Sequence, residues 1–241
     1  MNQLDEKILD DLKYYAGRRD VGSESKEELI DIALNEQIPI QKLTFLHWKD
    51  KDLIKSIRER EETQFTFFWE TQSPFSQWYK SFFTASVLFH KGITNEQREY
   101  LSNSLPKELE FSSAEQFMMY HKALIFLDRE IADSIMKTSN PRKIKELGRQ
   151  VKNYDDNVWH YHRSDVVYAA NLLKFEQNQG IMGALADTMG TTLVEAAPND
   201  KIWGIGLAAD DPKAQQRETW EGKNLLGEIL TQIRVELMGE Y

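Results

Sequence analysis

Apolar residues recur every three or four positions through much of the chain, which is the spacing of amphipathic helices. In the first 62 residues this pattern predicts three helices: "LDEKILDDLKYYA", "SKEELIDIALNEQ" behind a Ser25 cap, and "DKDLIKSIREREE". Further helices are predicted in "FSSAEQFMMYHKA", after an Asn140 cap with Pro141 in the first position, over residues 155–177 and 180–189, and in "GKNLLGEILTQIRVELMG".

Three short segments break the helical pattern. "QFTFFW" and "WYKSFFTASVLFH" are aromatic and β-branched, which is typical of strands, and the turn-like "TQSPFSQ" separates them. A third strand, "TTLVEA", leads into the loop "APNDKIWGIG". The sequence therefore predicts a mainly α fold with a few short β-strands, in one domain over residues 63–241 behind a helical N-terminal extension over residues 1–62.

Composition narrows the class of protein. Of the 241 residues, 41% are apolar and 29% are charged, as in soluble globular proteins. The chain has no cysteine, which excludes disulfides and thiolate chemistry and fits a reducing cytoplasm. "MNQLDEKILDDL" has neither the basic start nor the apolar stretch of a secretory signal, and nowhere do 18 apolar residues run together. We therefore expect a cytoplasmic protein without a membrane span.

The charge distribution indicates where an anion would bind. A net charge of -9 argues against a protein that holds nucleic acid mainly through its phosphates. The acidic excess lies in residues 1–62 and 186–241, whereas residues 63–185 carry as many basic as acidic groups. A phosphate-bearing ligand is therefore expected in this neutral part, near Lys122, Arg149, Arg163 and Lys174.

Several common catalytic motifs are missing from the sequence. It has no Walker loop and no G-x-S-x-G elbow, and "WGIGL" lacks the third glycine of a dinucleotide fingerprint. The five histidines show no metal-ligand spacing. We therefore expect neither a metal nor a cofactor.

One helix carries a carboxylate and an amine on its apolar stripe. Glu115 and Lys122 are seven residues apart, so they share a face, and their Cα atoms lie roughly 10 Å apart along the axis. The two side chains can bracket a ligand. Two structural alternatives remain: Ser112 and Glu115 form a capping box, and Lys122 extends to water at the rim of the apolar face.

A series of motifs resembles the NADAR, or YbiA-like, family. From about Phe67 to the end, the motifs occur in the family's order: "SPFSQWY", "FSSAEQFMMYHKA", "LGR", "VWHYHR", "LLKFEQN", "LVEAAPNDKIWGIG" and "NLLGEILTQIR". The resemblance implies a mainly α, YbiA-like fold and hydrolysis of N-glycosidic bonds. Its substrate classes are ADP-ribose attached to guanine in nucleic acid, and ribosylamino-pyrimidine phosphates of the riboflavin pathway.

The same resemblance assigns roles to individual residues. Glu115 and Asp200 match catalytic acids of the family, and Trp159 matches a substrate-binding tryptophan. Trp159 would stack on the base and Asp200 would hold ribose hydroxyls; the alternatives are a core tryptophan and a turn residue. This chain has Ala-Glu-Gln where the family often has Ser-Glu-His, so the acid is kept and an amide stands in place of the neighbouring imidazole.

Further substrate contacts are predicted around these residues. Arg149 and Arg163 would clamp phosphate, or are ordinary surface arginines. Asn224 and Gly227 begin the last helix, where a backbone amide could approach phosphate; close packing is the alternative reason for the glycine. Substrate contacts are also predicted for three residues of the matching motifs: Trp78, Trp203 and Gly204.

The chemistry of these substrates suggests a mechanism. In both, ribose C1 is bonded to an exocyclic amine, so the sugar ring can open to an imine. In our hypothesis Lys122 attacks this carbon as a neutral amine and forms a Schiff base, while Glu115 carries protons. Burial beside Met118 and Met119 would favour the neutral amine, and a close carboxylate would oppose it. The alternative is direct displacement, with Glu115 or Asp200 stabilising an oxocarbenium-like state.

Four functions follow for the chain. The first is removal of ADP-ribose from guanine in DNA or RNA, as an antitoxin or repair activity, and the second is hydrolysis of riboflavin intermediates. The third is a non-catalytic sensor of ADP-ribose or NAD, against which Glu115 and Lys122 argue. The fourth is protein binding by residues 1–62. The sequence does not predict an oligomeric state.

Overall fold

The computed structural model describes residues 61–87, 94, 95, 97, 99 and 105–238. The three helices predicted in residues 1–62 lie outside the described residues, except for residues 61 and 62. The helical extension and its boundary therefore stay predictions. The described residues fall into two compact units, one with residues 61–69 and 180–238 and the other with those between 70 and 179.

Helices dominate the described residues, so the mainly α prediction is confirmed. In chain order the elements are β1 (Phe65–Phe68), β2 (Phe83–Ser86), β3 (Glu108–Phe111), α1 (Ala114–Ile125), α2 (Arg129–Met136), α3 (Pro141–Arg149), α4 (Asp156–Glu176), α5 (Gln179–Ala186), β4 (Thr192–Glu195), two 3-10 helices (Pro212–Gln215 and Arg217–Thr219) and α6 (Leu225–Met238).

In the first unit β1 and β4 form a parallel pair, in register from Phe65 opposite Thr192 to Phe68 opposite Glu195. Both strands were predicted from the sequence, and both are confirmed. Apolar side chains from β4, the loop that follows it and the first 3-10 helix form a small core, which packs against the aromatic residues of β1 and Trp220. The buried members are Val194, Ile205, Leu207 and Ala214.

The start of α6 is tied to β4 by Asn224. This residue is 0% exposed; its Oδ1 accepts from Glu195 N at 2.9 Å and its Nδ2 donates to Leu193 O at 2.9 Å. A Cβ on Gly227 would lie 2.0 Å from Leu193 O. Close packing of α6 on β4 therefore explains the glycine inside this helix, while the phosphate contact predicted for the pair stays a prediction.

In the second unit α1 is the central element. Ten of its twelve residues are buried, and it packs against α2, α3 and α4. The antiparallel pair β2–β3 runs from Phe83 opposite Phe111 to Ser86 opposite Glu108. These two phenylalanines stack with ring centroids 5.9 Å apart, and Phe117 of α1 lies edge-on to Phe111 at 4.9 Å. Aromatic packing therefore joins the strand pair to α1.

Local polar contacts overturn part of the strand prediction. "WYKSFFTASVLFH" was predicted as one strand, but β2 covers only Phe83–Ser86, and residues 78 and 79 belong to a turn. Ser76 causes this, because its side chain accepts from Trp78 N at 3.2 Å and its carbonyl accepts from Tyr79 N at 3.2 Å. The predicted 180–189 helix is also too long: α5 ends at Ala186. Neither β3 nor α2 was predicted.

The predicted helix starts are confirmed where an Asx cap marks them. Asn140 caps α3, accepting from Lys143 N at 3.2 Å, with Pro141 in the first turn. Asp155 caps α4, accepting from Asn157 N at 2.8 Å and Val158 N at 3.1 Å.

The packing of α6 on β4 predicts opposite effects for two glycine substitutions. Gly227→Ala should lower the free energy of unfolding by about 1–3 kcal/mol, because the new methyl group meets backbone. Gly183→Ala on α5 is the matched control: nothing lies within 4 Å of its Cβ position, so it should be neutral or stabilising by up to about 1 kcal/mol. Urea unfolding measures both. Equal stabilities for the two variants would contradict the packing account.

Candidate active site

The start of α1 is held by a network of side-chain hydrogen bonds. Ser113 is the cap and its Oγ accepts from Gln116 N at 3.2 Å. The Gln116 Oε1 reaches back to Ser112, accepting from its amide at 2.7 Å and its hydroxyl at 2.9 Å. The predicted capping box of Ser112 and Glu115 is therefore wrong by one residue, and capping does not explain the carboxylate at Glu115.

Gln116 also joins α1 to the end of α2. Its Nε2 donates to Ile135 O at 3.1 Å and to Thr138 O at 2.9 Å. All four hydrogen-bonding positions of this amide are occupied. Gln116 is therefore a structural glutamine, and its neutral amide cannot transfer a proton at neutral pH.

Glu115 is 3% exposed, and its backbone is fixed to the turn that precedes β2. Glu115 N donates to Gln77 O at 2.9 Å. The turn and the first residues of α1 are thus held together, so the carboxylate has a defined position in the interior of the unit.

Lys122 lies at the other end of α1, half-buried. Its Nζ donates to Gly148 O at 2.9 Å and lies 4.3 Å from the ring centroid of Tyr154 and 5.9 Å from that of Trp159. A Cβ on Gly148 would lie 2.1 Å from Met119 Sδ. The absence of a side chain at Gly148 therefore allows α1 and α3 to approach closely enough for Lys122 to reach this carbonyl.

Burial and nearby charges act in opposite directions on the Lys122 amine. Burial lowers its pKa most, the charge of Glu115 raises it, that of Arg149 lowers it and that of Asp156 raises it. The net pKa lies below that of an ordinary lysine. The carboxylate and the amine therefore act on one another, and a larger fraction of the amine is neutral at a given pH than in an exposed lysine.

A tyrosine and an aspartate that the sequence analysis missed complete the surroundings of this amine. Tyr154 OH donates to Asp156 Oδ1 at 2.8 Å, and burial together with this hydrogen bond raises the pKa of Tyr154 to about 12. Arg163 acts on the same tyrosine and is 6% exposed, so it is not an ordinary surface arginine. Tyr154 precedes α4 in an irregular segment, where helical periodicity gives no signal.

The other predicted residues of this unit lie in different surroundings. Trp159 is buried beside Lys122, whereas Arg149 is exposed. Trp78 is half-buried, with Lys145 Nζ 5.5 Å from its ring centroid. A cavity of about 370 Å³ lies beside Trp78, at the N-terminal end of α1. Its lining also includes Tyr79, Lys80, Ser112, Ser113 and Ser139.

The remaining predicted residues belong to the first unit. Asp200 Oδ1 accepts from Ile202 N and Trp203 N, both at 2.8 Å, which is the turn role that the sequence analysis weighed as its alternative. A Cβ on Gly204 would lie 2.6 Å from Glu195 O, so close packing explains this glycine. Trp203 is half-buried. The substrate contacts predicted for Asp200, Trp203 and Gly204 stay predictions.

Lys174 is not a surface cation for a phosphate-bearing ligand, contrary to our expectation. It is 0% exposed, and its Nζ donates to Ser76 O at 3.0 Å. Burial lowers its pKa to about 7. This lysine therefore holds the turn at Ser76 from inside the unit.

Neither a metal-binding cluster nor a membrane-spanning helix is found in the part of the chain that the structure describes. Residues 61–87, 94, 95, 97, 99 and 105–238 contain no group of three or more side chains placed to hold a metal ion. None of the helices within these residues has the length and apolar character needed to cross a membrane.

Comparison with known proteins gives consistent matches. The NADAR domain matches residues 67–238. The chain is 47% identical to N-glycosidase R617 of Acanthamoeba polyphaga mimivirus over 139 residues, which are 58% of this chain and 81% of that protein. It is 34% identical to the chloroplastic riboflavin biosynthesis protein PYRR of Zea mays over 115 residues, 46% of this chain and 17% of that protein. The NMR structure of E. coli YbiA is similar in fold, with a TM-score of 0.51 and 21% identity over 76% of this chain and 92% of that one.

The buried Lys174 predicts a pH-dependent stability difference. Its pKa is about 7 in the folded protein and 10.5 in the reference state, so between these values the unfolded chain binds more protons. The free energy of unfolding should therefore rise with pH in this window, by up to about 1.4 kcal/mol per pH unit, relative to Lys174→Met. Urea unfolding of both proteins between pH 7 and 9.5 measures the difference. A constant difference would show that Lys174 stays protonated in the fold.

Proposed function

The chain belongs to the NADAR domain family and is an N-glycosidase, and we propose that it removes ADP-ribose from guanine bases of nucleic acid. The observation that carries the proposal is the pairing on α1 of the buried Glu115 carboxylate with a lysine, Lys122, whose pKa is lowered by burial. The activity would reverse nucleic-acid ADP-ribosylation, as an antitoxin or repair function.

In the proposed mechanism Lys122 acts as the nucleophile. Ring opening breaks the bond between C1 and the ring oxygen, which takes a proton, and leaves an imine between C1 and the exocyclic nitrogen of the base. The neutral amine adds to C1 and loses a proton. The bond from C1 to the base then breaks, and the base leaves with the electron pair and a proton. Water hydrolyses the resulting Schiff base, releasing the sugar and the free lysine.

Glu115 is proposed to carry these protons. Its carboxylate is close enough for its charge to raise the pKa of Lys122, so the two groups can act on one sugar. Burial and the charge of Arg149 lower the pKa of Lys122 by more than nearby acidic groups raise it. The amine therefore loses its proton more readily than an ordinary lysine does. The alternative mechanism keeps Glu115 as the group that stabilises an oxocarbenium-like state and needs no covalent bond to Lys122.

The size and the lining of the cavity beside Trp78 support a substrate larger than a metabolite. The cavity beside Trp78 has room for a further part of the substrate, and its lining combines an aromatic ring, the Lys80 amine and several hydroxyls. Such a lining suits a nucleotide, because aromatic faces stack on bases and amines bind phosphate. Buried Trp159 is proposed to stack on the base beside Lys122, and Arg163 and Arg149 to bind the phosphates of ADP-ribose.

The second candidate function is hydrolysis of ribosylamino-pyrimidine phosphates of riboflavin biosynthesis. The similarity to the riboflavin biosynthesis protein of Zea mays favours it, as does the net charge of -9, which suits a small substrate better than a nucleic acid. Both candidates use the same bond and the same residues, so the substrate distinguishes them. A sensor that binds ADP-ribose or NAD without cleaving a substrate is the third candidate.

A side-by-side assay tests the substrate. Purified protein is incubated with ADP-ribosylated guanine DNA and with a ribosylamino-pyrimidine phosphate, and released ADP-ribose or ribose phosphate is measured. We expect release from the DNA, and a loss of at least about 100-fold in Glu115→Gln and Lys122→Ala, since general acid–base groups typically contribute 10²–10⁴-fold. Lys152→Ala, which alters an exposed lysine paired with Glu130, is the control and should keep full activity. Release from the pyrimidine alone would establish the second candidate, and binding without any release would establish the sensor.

Borohydride trapping tests the covalent step. Reduction during turnover should fix the sugar on Lys122, and peptide mass spectrometry should find the adduct there and not on Lys152. The adduct should disappear in Lys122→Ala. Turnover without any adduct would exclude the Schiff base and leave direct displacement.

A further inference from the structure

Gln77 carries a buried amide whose hydrogen-bonding capacity is not used. The residue is 9% exposed, and neither its Oε1 nor its Nε2 has a hydrogen-bond partner among the residues that the structure describes. Buried side-chain amides in native proteins are normally bonded, because leaving one unpaired carries a desolvation penalty. The donor and acceptor positions of the Gln77 amide are therefore available to a ligand or to bound water.

The backbone around this amide is fixed. Ser76 O accepts from Tyr79 N at 3.2 Å and from Lys174 Nζ at 3.0 Å, which closes the turn on both sides of Gln77. Gln77 O accepts from Glu115 N at 2.9 Å. The unused amide therefore belongs to a rigid turn directly bonded to the residue that carries the proposed catalytic carboxylate.

Gln116 in the same unit is a buried glutamine with a structural role, and it can be compared with Gln77. Gln116, one residue after Glu115, is 4% exposed and forms four hydrogen bonds to Ser112, Ile135 and Thr138. Two buried glutamines are thus joined to Glu115, Gln116 as its neighbour in the sequence and Gln77 through a backbone hydrogen bond, yet the amide of Gln116 is fully bonded and that of Gln77 forms no hydrogen bond. Burial alone does not account for this contrast.

We propose that Gln77 is a specificity-determining residue that binds the lactam edge of the leaving base, where a ring N–H lies beside a carbonyl. Its Nε2 donates to the base carbonyl and its Oε1 accepts from the ring N–H, so both unused positions are filled. This inference rests on the proposed function and names the recognition element of the same site.

The chemistry of the leaving group places this edge near Glu115. In guanine the ring N–H is bonded to the carbon that carries the exocyclic amine, and this amine is where the proposed proton carrier acts. A residue bonded to Glu115 through its backbone is therefore in the right neighbourhood to read that edge. Pyrimidinones of the second candidate function also carry a lactam, so the inference holds for either substrate.

Binding measurements test the inference independently of turnover. The background is Lys122→Ala, which prevents the proposed covalent step, and the probes are an N2-ribosylguanine nucleotide and its 2-aminopurine counterpart. The latter keeps the exocyclic amine but lacks the carbonyl and the ring N–H. Adding Gln77→Met should weaken binding of the guanine probe about 10- to 100-fold, as for loss of a bidentate base contact, and should have a much smaller effect on the 2-aminopurine probe.

Thermal unfolding separates recognition from structure. Gln77→Met should keep or raise the melting temperature, because it removes unpaired polar atoms, whereas Gln116→Met should lower it, because it removes four hydrogen bonds. Equal effects of Gln77→Met on both probes, no effect on either, no binding of either probe, or a loss of stability like that of Gln116→Met would each overturn the inference. Absence of cleavage by the unmodified chain, with guanine binding still dependent on Gln77, would overturn the proposed function alone.

Discussion

The hydrogen-bonded start of α1 is the constraint on which the rest of the site depends. The cap at Ser113 sets where the helix begins, and the amide of Gln116 locks that start to α2. With the start fixed, the helical repeat determines that Glu115 and Lys122 lie on one stripe, two turns apart. A shift of the cap by one residue would rotate both groups by about 100° around the axis and move Lys122 away from Gly148 and Tyr154.

The fully buried Lys174 and the half-buried Lys122 show how the degree of burial affects a lysine of this unit. Complete burial lowers the pKa of Lys174 to about 7, but its Nζ is enclosed and bonded to Ser76 O. Lys122 keeps partial contact with solvent, so burial lowers its pKa while its amine stays reachable, and Glu115 offsets part of the shift. A Schiff-base lysine must be both neutral and accessible. Full burial prevents the substrate from reaching the amine, and full exposure keeps the amine protonated.

Periodicity predicted α4, and the Asn140 cap predicted the start of α3, because both signals are local: Asn140 bonds an amide that follows it. The same reasoning placed the start of α1 one residue too early, since "SSAEQ" contains two overlapping capping patterns and only the contact of Gln116 with α2 decides between them. The seven-residue spacing of Glu115 and Lys122 predicted that they share one face of α1. It gave no signal for Tyr154, in an irregular segment, or for Gln77, whose state depends on residues distant in the sequence.

Three buried amides among the described residues show the contrast between building the fold and leaving hydrogen-bonding positions unused. Asn224 joins α6 to β4 and Gln116 joins α1 to α2, each through both ends of its amide. Gln77 instead contributes only its backbone, which accepts from Glu115 N. If the side chain binds the base as proposed, this one hydrogen bond connects recognition to chemistry. Because the turn is held by Tyr79 N and Lys174 Nζ, the residue proposed to read the base and the residue proposed to carry protons keep a fixed relative position.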